Sequence, residues 1–236
     1  MTTSTLTPKL GPVIAIDGPA GTGKSSATKR LSDRLGFVHV DTGALYRVVA
    51  YSLIKEKNET HDARAVELSQ TLKIEFKRDQ KLNPSNRVFV NGEDFTPFIR
   101  TPEVSMLASR VSAIAGVRKA LLSLQRTMGA KGKTILEGRD IGTVIFPDAD
   151  VKFFLTASIE ERAKRRLAEL EASGVDSPSF EEVKNQIAAR DAGDMNRAVA
   201  PLKQADDAIL LDTSQMTLDQ VVDWMENKVR NKLKLN

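Results

Sequence analysis

Apolar residues in this chain gather in short, strongly apolar runs, and most runs are followed by a stretch with helical spacing. Val13-Ile-Ala-Ile16 is the clearest run, and the others lie at residues 37–40, 134–137, 151–155 and 208–211. Runs this short and this apolar predict strands covered on both faces, the first spanning residues 13–17. Apolar positions at three- and four-residue intervals predict helices over residues 24–35, 44–57, 159–172 and 218–229, with Trp224 on a core-facing stripe. Strand and helix signals in alternation predict an α/β fold: a central parallel five-stranded sheet flanked by helices.

Two regions break the rhythm. Between residues 71 and 100, Leu72-Lys-Ile-Glu-Phe-Lys77 alternates strictly, Arg87-Val-Phe-Val90 does so more weakly, and Asn91-Gly92 is a turn signal. These features predict a small antiparallel sheet inserted into the α/β core, with helices after it near residues 102–111 and 117–128. The second break, Ser173-Gly-Val-Asp-Ser-Pro178, precedes a charged stretch over 180–197, a pattern that suits a mobile polar lid over 173–197.

A length of 236 residues is most simply one domain, 1–236, with room for a mobile subdomain. Apolar content of 41% and charged content of 28% describe an ordinary globular chain, and no apolar run is long enough for a membrane span. The polar start, Met1 to Pro8, lacks the apolar centre of a signal peptide and reads as a loose tail. Without cysteine there are no disulfides and no thiolate metal sites, which fits a cytoplasmic location. A net charge of +4 is too small to argue for nucleic acid, and a small polyanion accounts for it equally well.

The chemistry concentrates in Gly18-Pro-Ala-Gly-Thr-Gly-Lys24-Ser25, directly after the first predicted strand and opening the first predicted helix. This is the phosphate-binding pattern G-x-x-x-x-G-K-[ST] in the context it requires. Glycines let backbone N–H groups converge on phosphate oxygens, and the helix adds its positive dipole end. Lys24 would reach the outer phosphates, and the Ser25 hydroxyl would ligate Mg2+. The bland alternative is a glycine-rich turn that binds nothing.

Other candidates lie at carboxyl ends of predicted strands, where open α/β sheets gather ligands. In Asp41-Thr-Gly-Ala-Leu-Tyr46-Arg47, Thr42 could cap the next helix, with Asp41 and Gly43 serving the turn; alternatively Tyr46 and Arg47 reach a second anionic group. In Glu137-Gly138-Arg139-Asp140, the acid could hold Mg2+ through water and Arg139 a transferring phosphoryl group; the alternative is a turn with a surface ion pair. Arg162, Arg165 and Arg166 share one helix face, and Arg190, Asp194 and Arg197 another. Such faces are commonly solvated, yet arginine forks also suit phosphate clamping. His39 and His61 have no metal partners nearby in sequence.

Taken jointly, these motifs resemble the bacterial nucleoside monophosphate kinases, and most closely the cytidylate kinases. The matching stretches are Ile16 to Ser25, Asp41 to Arg47, Arg100-Thr-Pro-Glu-Val-Ser105, Glu137 to Pro147, Arg190-Asp-Ala-Gly-Asp194 and Asn196-Arg-Ala-Val-Ala-Pro-Leu202. They cover nearly the whole chain from about residue 12. The Gly-Arg-Asp and Arg-Ala-Val-Ala-Pro-Leu runs are more specific to this family than the phosphate loop. The antiparallel insertion looks like the family's enlarged monophosphate-binding region, within an acceptor-binding stretch over 42–130.

The resemblance implies ATP as phosphoryl donor with Mg2+, and CMP or dCMP as acceptor. The donor would lie on Gly18, Pro19, Ala20, Gly21, Thr22, Gly23, Lys24, Ser25 and Ser26, with Mg2+ on Ser25 and, through water, Glu137. Thr42, Tyr46 and Arg47, with Asp41 and Gly138 beside them, would hold the acceptor phosphate together with Arg139 and Arg197. Ser109, Arg118 and Asp140 would read cytosine, and Arg190 with Asp194 would hold the ribose. Lys24, Arg139, Arg162, Arg190 and Arg197 would supply the electrostatics of transfer. Residues 211–214 would approach the adenine, and the enzyme would act as a monomer. Where some relatives carry a further basic residue, Ala192-Gly193 stands here, and Thr42 replaces a serine of some relatives.

Two other readings stay open at this point. One is a P-loop kinase for another acceptor, such as UMP, dTMP, AMP or shikimate. The other is a regulatory P-loop ATPase, against which stands the lack of a guanine-reading Asn-Lys-x-Asp motif.

Overall fold

The computed structural model describes residues 8–78, 86–172 and 178–235. Its order is β1 (Val13–Asp17), α1 (Lys24–Leu35), β2 (Val38–Asp41), α2 (Thr42–Lys55), α3 (Asp62–Thr71), β3 (Ile74–Arg78), β4 (Asn86–Val90) and β5 (Glu93–Asp94). There follow α4 (Pro102–Ala113), α5 (Ala115–Ala130), β6 (Thr134–Gly138), a π-helical turn (Ile141–Ile145), β7 (Val151–Thr156), α6 (Ile159–Ala172), α7 (Phe180–Asn196), β8 (Ile209–Asp212) and α8 (Leu218–Leu233).

The chain forms two compact units, one from Val40–Gly129 and one from Pro8–His39 with Ala130 onward. A five-stranded parallel sheet takes the order β2-β6-β1-β7-β8. β1 is central and wholly buried, as its unbroken apolar run requires. Ile14, Ile16, Phe153 and Leu155 pack with Ala27 and Leu31 of α1 and with Val222, Met225 and Val229 of α8. The smaller sheet is antiparallel, in the order β3-β4-β5, with Asn91 and Gly92 turning β4 into β5 at positive φ. In the Val40–Gly129 unit, Leu45, Val49 and Leu53 of α2 form a core with Val104, Ala108 and Val111 of α4.

Several boundaries moved, for local reasons. The second strand starts at Val38 because Phe37 N–H closes the end of α1 on Ser32 O at 2.9 Å, after Gly36 in the left-handed region. The last strand starts at Ile209 because Ala208 N–H is held in a turn by Ala205 O at 2.9 Å. The second helix begins at Thr42, and the cap is Asp41, whose side chain accepts from Ala44 N–H; Thr42 does not cap it. α3 was not expected from the sequence. The charged stretch after Pro178 is the helix α7, opened by a capping box of Ser179 and Glu182. Its Val183 and Ile187 pack on Ala163 and Leu170 of α6. The N-terminal tail 1–7 and residues 173–177 of the breaker cluster lie outside the described residues. Among the described residues no helix is long and apolar enough to cross a membrane.

Candidate active site

The phosphate loop begins where β1 ends, and its backbone demands glycine at the joint. Gly18 has φ 145°, and a Cβ there would stand 2.0 Å from Leu155 O. Gly23, left-handed at φ 84°, starts α1 with no side-chain cap, so the first-turn N–H groups keep their capacity for an anion. Lys24 is buried, and its Nζ donates to Pro19 O at 2.5 Å and Thr22 Oγ1 at 3.2 Å. Burial holds its pKa well below the ordinary lysine range, Arg139 and Arg190 push the same way, and Glu137 and Asp17 oppose them.

Contacts from several elements anchor this loop. Ser25 Oγ donates to Glu137 Oε2 at 2.9 Å, and the other oxygen of Glu137 lies 3.0 Å from His39 Nε2. Ser25 and Glu137 therefore present converging oxygens, a donor set that suits a hard cation completing its shell with phosphate and water. Arg162, buried on α6, donates to Ala20 O at 3.1 Å and pairs with Asp191 of α7. Thr213, after β8, has its hydroxyl 3.2 Å from Thr22 O and accepts from Arg165 Nη1 at 3.0 Å. Arg166 faces outward and pairs with Glu169 at 3.1 Å, which is the solvated reading for that residue. Ser26 is exposed on the first turn of α1.

In the Val40–Gly129 unit, Asp41 is occupied by capping and by Arg47, whose Nη2 donates to it at 2.5 Å; Arg100 approaches the same oxygen at 3.4 Å. A carboxylate so placed orients cations and would itself repel a phosphate. Arg47 Nε is buried with no hydrogen-bond partner, a donor suited to an incoming oxyanion. Thr42 and Tyr46 are buried nearby on α2, and the Arg118 guanidinium lies 5.4 Å from the Tyr46 ring centroid while donating to Ser112 O. Ser109 is half-buried on α4.

The end of β6 and the end of α7 share a network of four charges. Arg139 Nε donates to Asp194 Oδ2 at 2.9 Å, Arg197 lies 3.6 Å from Asp194 Oδ1, and Arg197 Nη2 donates to Asp140 Oδ1 at 3.3 Å. Arg190 sits on the same helix, next to Asp191. The structure thus brings together Lys24, Ser25, Glu137, Arg139, Asp140, Arg162, Asp194 and Arg197 within one unit.

Sequence reasoning passed over Asp17, Asp191 and the pairing of His39 with Glu137. Asp17 carried a signal: an acid closing a wholly apolar strand must find partners. Both its oxygens accept backbone N–H groups, from Ile141 at 2.8 Å and Gly142 at 2.7 Å. Burial nevertheless pushes its carboxyl up to about 6, with those two bonds pulling the other way. Since that pKa lies above the ordinary 3.8, folding favours the protonated form; the contribution is complete below 3.8 and lost as pH rises to about 6. Asp17→Asn is expected to flatten the stability profile in that window, as read by urea unfolding at intervals across it.

The family model for cytidylate kinase matches residues 14–231. A cytidylate kinase of Citrifermentans bemidjiense is 51% identical over 94% of this chain and 94% of its own. One from Geobacter sulfurreducens is 49% identical, with the same coverage of both chains. A bifunctional pantoate ligase/cytidylate kinase of a Synechococcus species is 45% identical over 94% of this chain and 45% of its own length. Profile, relatives and phosphate-loop geometry agree, and the chain belongs to the cytidylate kinase family.

Proposed function

We propose that this protein transfers the γ-phosphoryl group of ATP to CMP, and to dCMP, giving ADP and the pyrimidine diphosphate. The observation that carries this reading is the network of Arg139, Asp194, Arg197 and Asp140, whose Arg139 charge is felt by Lys24 of the phosphate loop. A bare ATPase has no use for a second set of arginines and carboxylates; a two-substrate kinase does.

In this reading Gly18 to Ser26 grip the donor phosphates, and Lys24 follows the charge as it moves. Ser25 and Glu137 would hold Mg2+, which supplies charge neutralisation on the phosphates when bound. Arg47 with Thr42 and Tyr46 would take the acceptor phosphate, joined by Arg139 and Arg197, while Asp41 orients Arg47. Asp140 would accept from the cytosine amine, Arg118 would donate to its ring acceptors, and Ser109 would complete the reader. Asp194 and Arg190 would take the ribose hydroxyls. The acceptor phosphate is already an ionised nucleophile, so no general base is required, and the work is positioning and electrostatics. Arg162, released from Asp191, would add to the clamp on the transferring group.

The test is ADP release measured with CMP, dCMP, UMP, dTMP, AMP and shikimate as separate acceptors. CMP and dCMP are expected to give the highest kcat/KM. A clear preference for any other acceptor would overturn the assignment, and ATP turnover indifferent to every monophosphate would point to an ATPase.

A further inference from the structure

We propose that Asp17 is a positioning residue for acceptor recognition: by taking the Ile141 and Gly142 amides, its carboxylate sets where Arg139 and Asp140 stand. This deepens the reading above and rests on it. Asp17 ends β1 in register with Gly138, the last residue of the neighbouring strand β6. Only Arg139 and Asp140 separate Gly138 from Ile141. The backbone ladder at Asp17 therefore fixes one end of this dipeptide, and the Asp17 side chain fixes the other through bonds of 2.8 and 2.7 Å.

The dipeptide itself has an unusual path. Asp140 lies at φ −144°, ψ 24°, outside the regular regions, and precedes a π-helical turn that its side chain does not cap. Its backbone carbonyl takes Val144 and Ile145 N–H groups, while its side chain turns to Arg197. A turn of this kind needs outside support, and Asp17, 4% exposed, is placed to give it. The joint is close-packed: a Cβ on Gly142 would meet Lys152 Cδ at 3.1 Å and Asp17 Oδ2 at 3.4 Å. An ionised carboxylate can accept both amides. An asparagine in the same volume accepts one and turns an N–H donor towards the other. Asp140 and Lys24 are charged groups felt by Asp17, and the two amide bonds offset part of the cost of burying its carboxylate.

Asp17→Asn tests this with three measurements: kinetics on CMP and UMP, the KM for ATP, and the amide resonances of Ile141 and Gly142. Misplacing the dipeptide is expected to lower kcat/KM for CMP by about a hundredfold. The CMP-over-UMP ratio should narrow, the KM for ATP should stay near wild type, and one of the two amides should move upfield. The loop Gly18–Ser25 follows Asp17 directly, so a raised KM for ATP with an unchanged CMP-over-UMP ratio would overturn the proposal. So would a uniform loss of kcat with the ratio kept. If Asp17→Asn does not fold, Gly142→Ala strains the same joint and should narrow the ratio in the same direction; an unchanged ratio there overturns the proposal too. Asp140→Ala separates this from the parent reading. A narrowed ratio in Asp140→Ala with none in Asp17→Asn or Gly142→Ala removes Asp17 alone. An unchanged ratio in Asp140→Ala removes the base-reading role, and the amide shifts with the KM for CMP still decide on Asp17.

Discussion

Lys24→Met is expected to lower kcat for CMP phosphorylation by about 10²- to 10³-fold, the cost of deleting one preorganised charge stabiliser from a transition state. Methionine keeps the unbranched stem, so the first turn of α1 and its packing should survive. What disappears is the ammonium. Lys24 Nζ donates within its own loop, to Pro19 O at 2.5 Å and Thr22 Oγ1 at 3.2 Å. Its depressed pKa records an unfavourable environment for a cation, made by burial and by the neighbouring Arg139 and Arg190 charges. A polyphosphate reverses that balance, because the same low dielectric that penalises an isolated cation strengthens its attraction to an anion. The attraction is greatest when charge moves along the bond being broken, so the loss should fall mainly on kcat. Single-turnover transfer at saturating CMP and ATP, with circular dichroism to check folding, measures it. A kcat near the wild-type value would remove Lys24 from the transfer step.

Local punctuation explains which parts of this molecule were legible in its sequence. β1, α1 and α6 have the bounds their patterns predicted, because an unbroken apolar run, a glycine pair and a three-to-four residue spacing each act within one turn or strand. α3 escaped because its ten residues bury only Ala65, Leu68 and Ser69, too few apolar positions to show a period. Asp41 was seen as a residue of the helix start, yet a sequence cannot say which of two adjacent capping types turns inward. The phosphate loop was legible in its place between β1 and α1 and in its demand for glycine at Gly18 and Gly23. The four-charge network was not: Arg139 and Asp194 are 55 positions apart, and only folding shows that the arginines of one motif pair with the carboxylates of another. The same holds for the pairing of His39 with Glu137, which lies 98 positions away. Family likeness supplied roles for residues such as Ser109 that neither spacing nor burial would single out.

Asp140→Ala should narrow the preference for CMP over UMP by between about tenfold and a hundredfold, the discrimination carried by one well-made base contact. Cytosine and uracil differ at position 4, where an amine donor in one is a carbonyl acceptor in the other. A carboxylate there attracts the first and repels the second. A pocket built this way rejects the wrong base chiefly because its buried polar groups are left unpaired. Asp140 meets the physical requirements: it is 5% exposed, does not cap the turn it precedes, and is held by Arg197 at 3.3 Å. Removing it does not orphan Arg197, since Asp194 lies 3.6 Å from the same guanidinium and Ala200 O accepts its Nε at 2.6 Å. The fold should therefore hold, and the change should appear in kcat/KM for CMP more than for UMP. Asp140→Asn sharpens the point. An amide can accept from the cytosine amine or donate to the uracil carbonyl, so this variant should lose the discrimination made at position 4 and keep that made by Arg118 at N3, which accepts in cytosine and donates in uracil. Equal losses on both, with the ratio intact, would mean that Asp140 serves as an anchor for Arg197 and that the cytosine edge is read elsewhere.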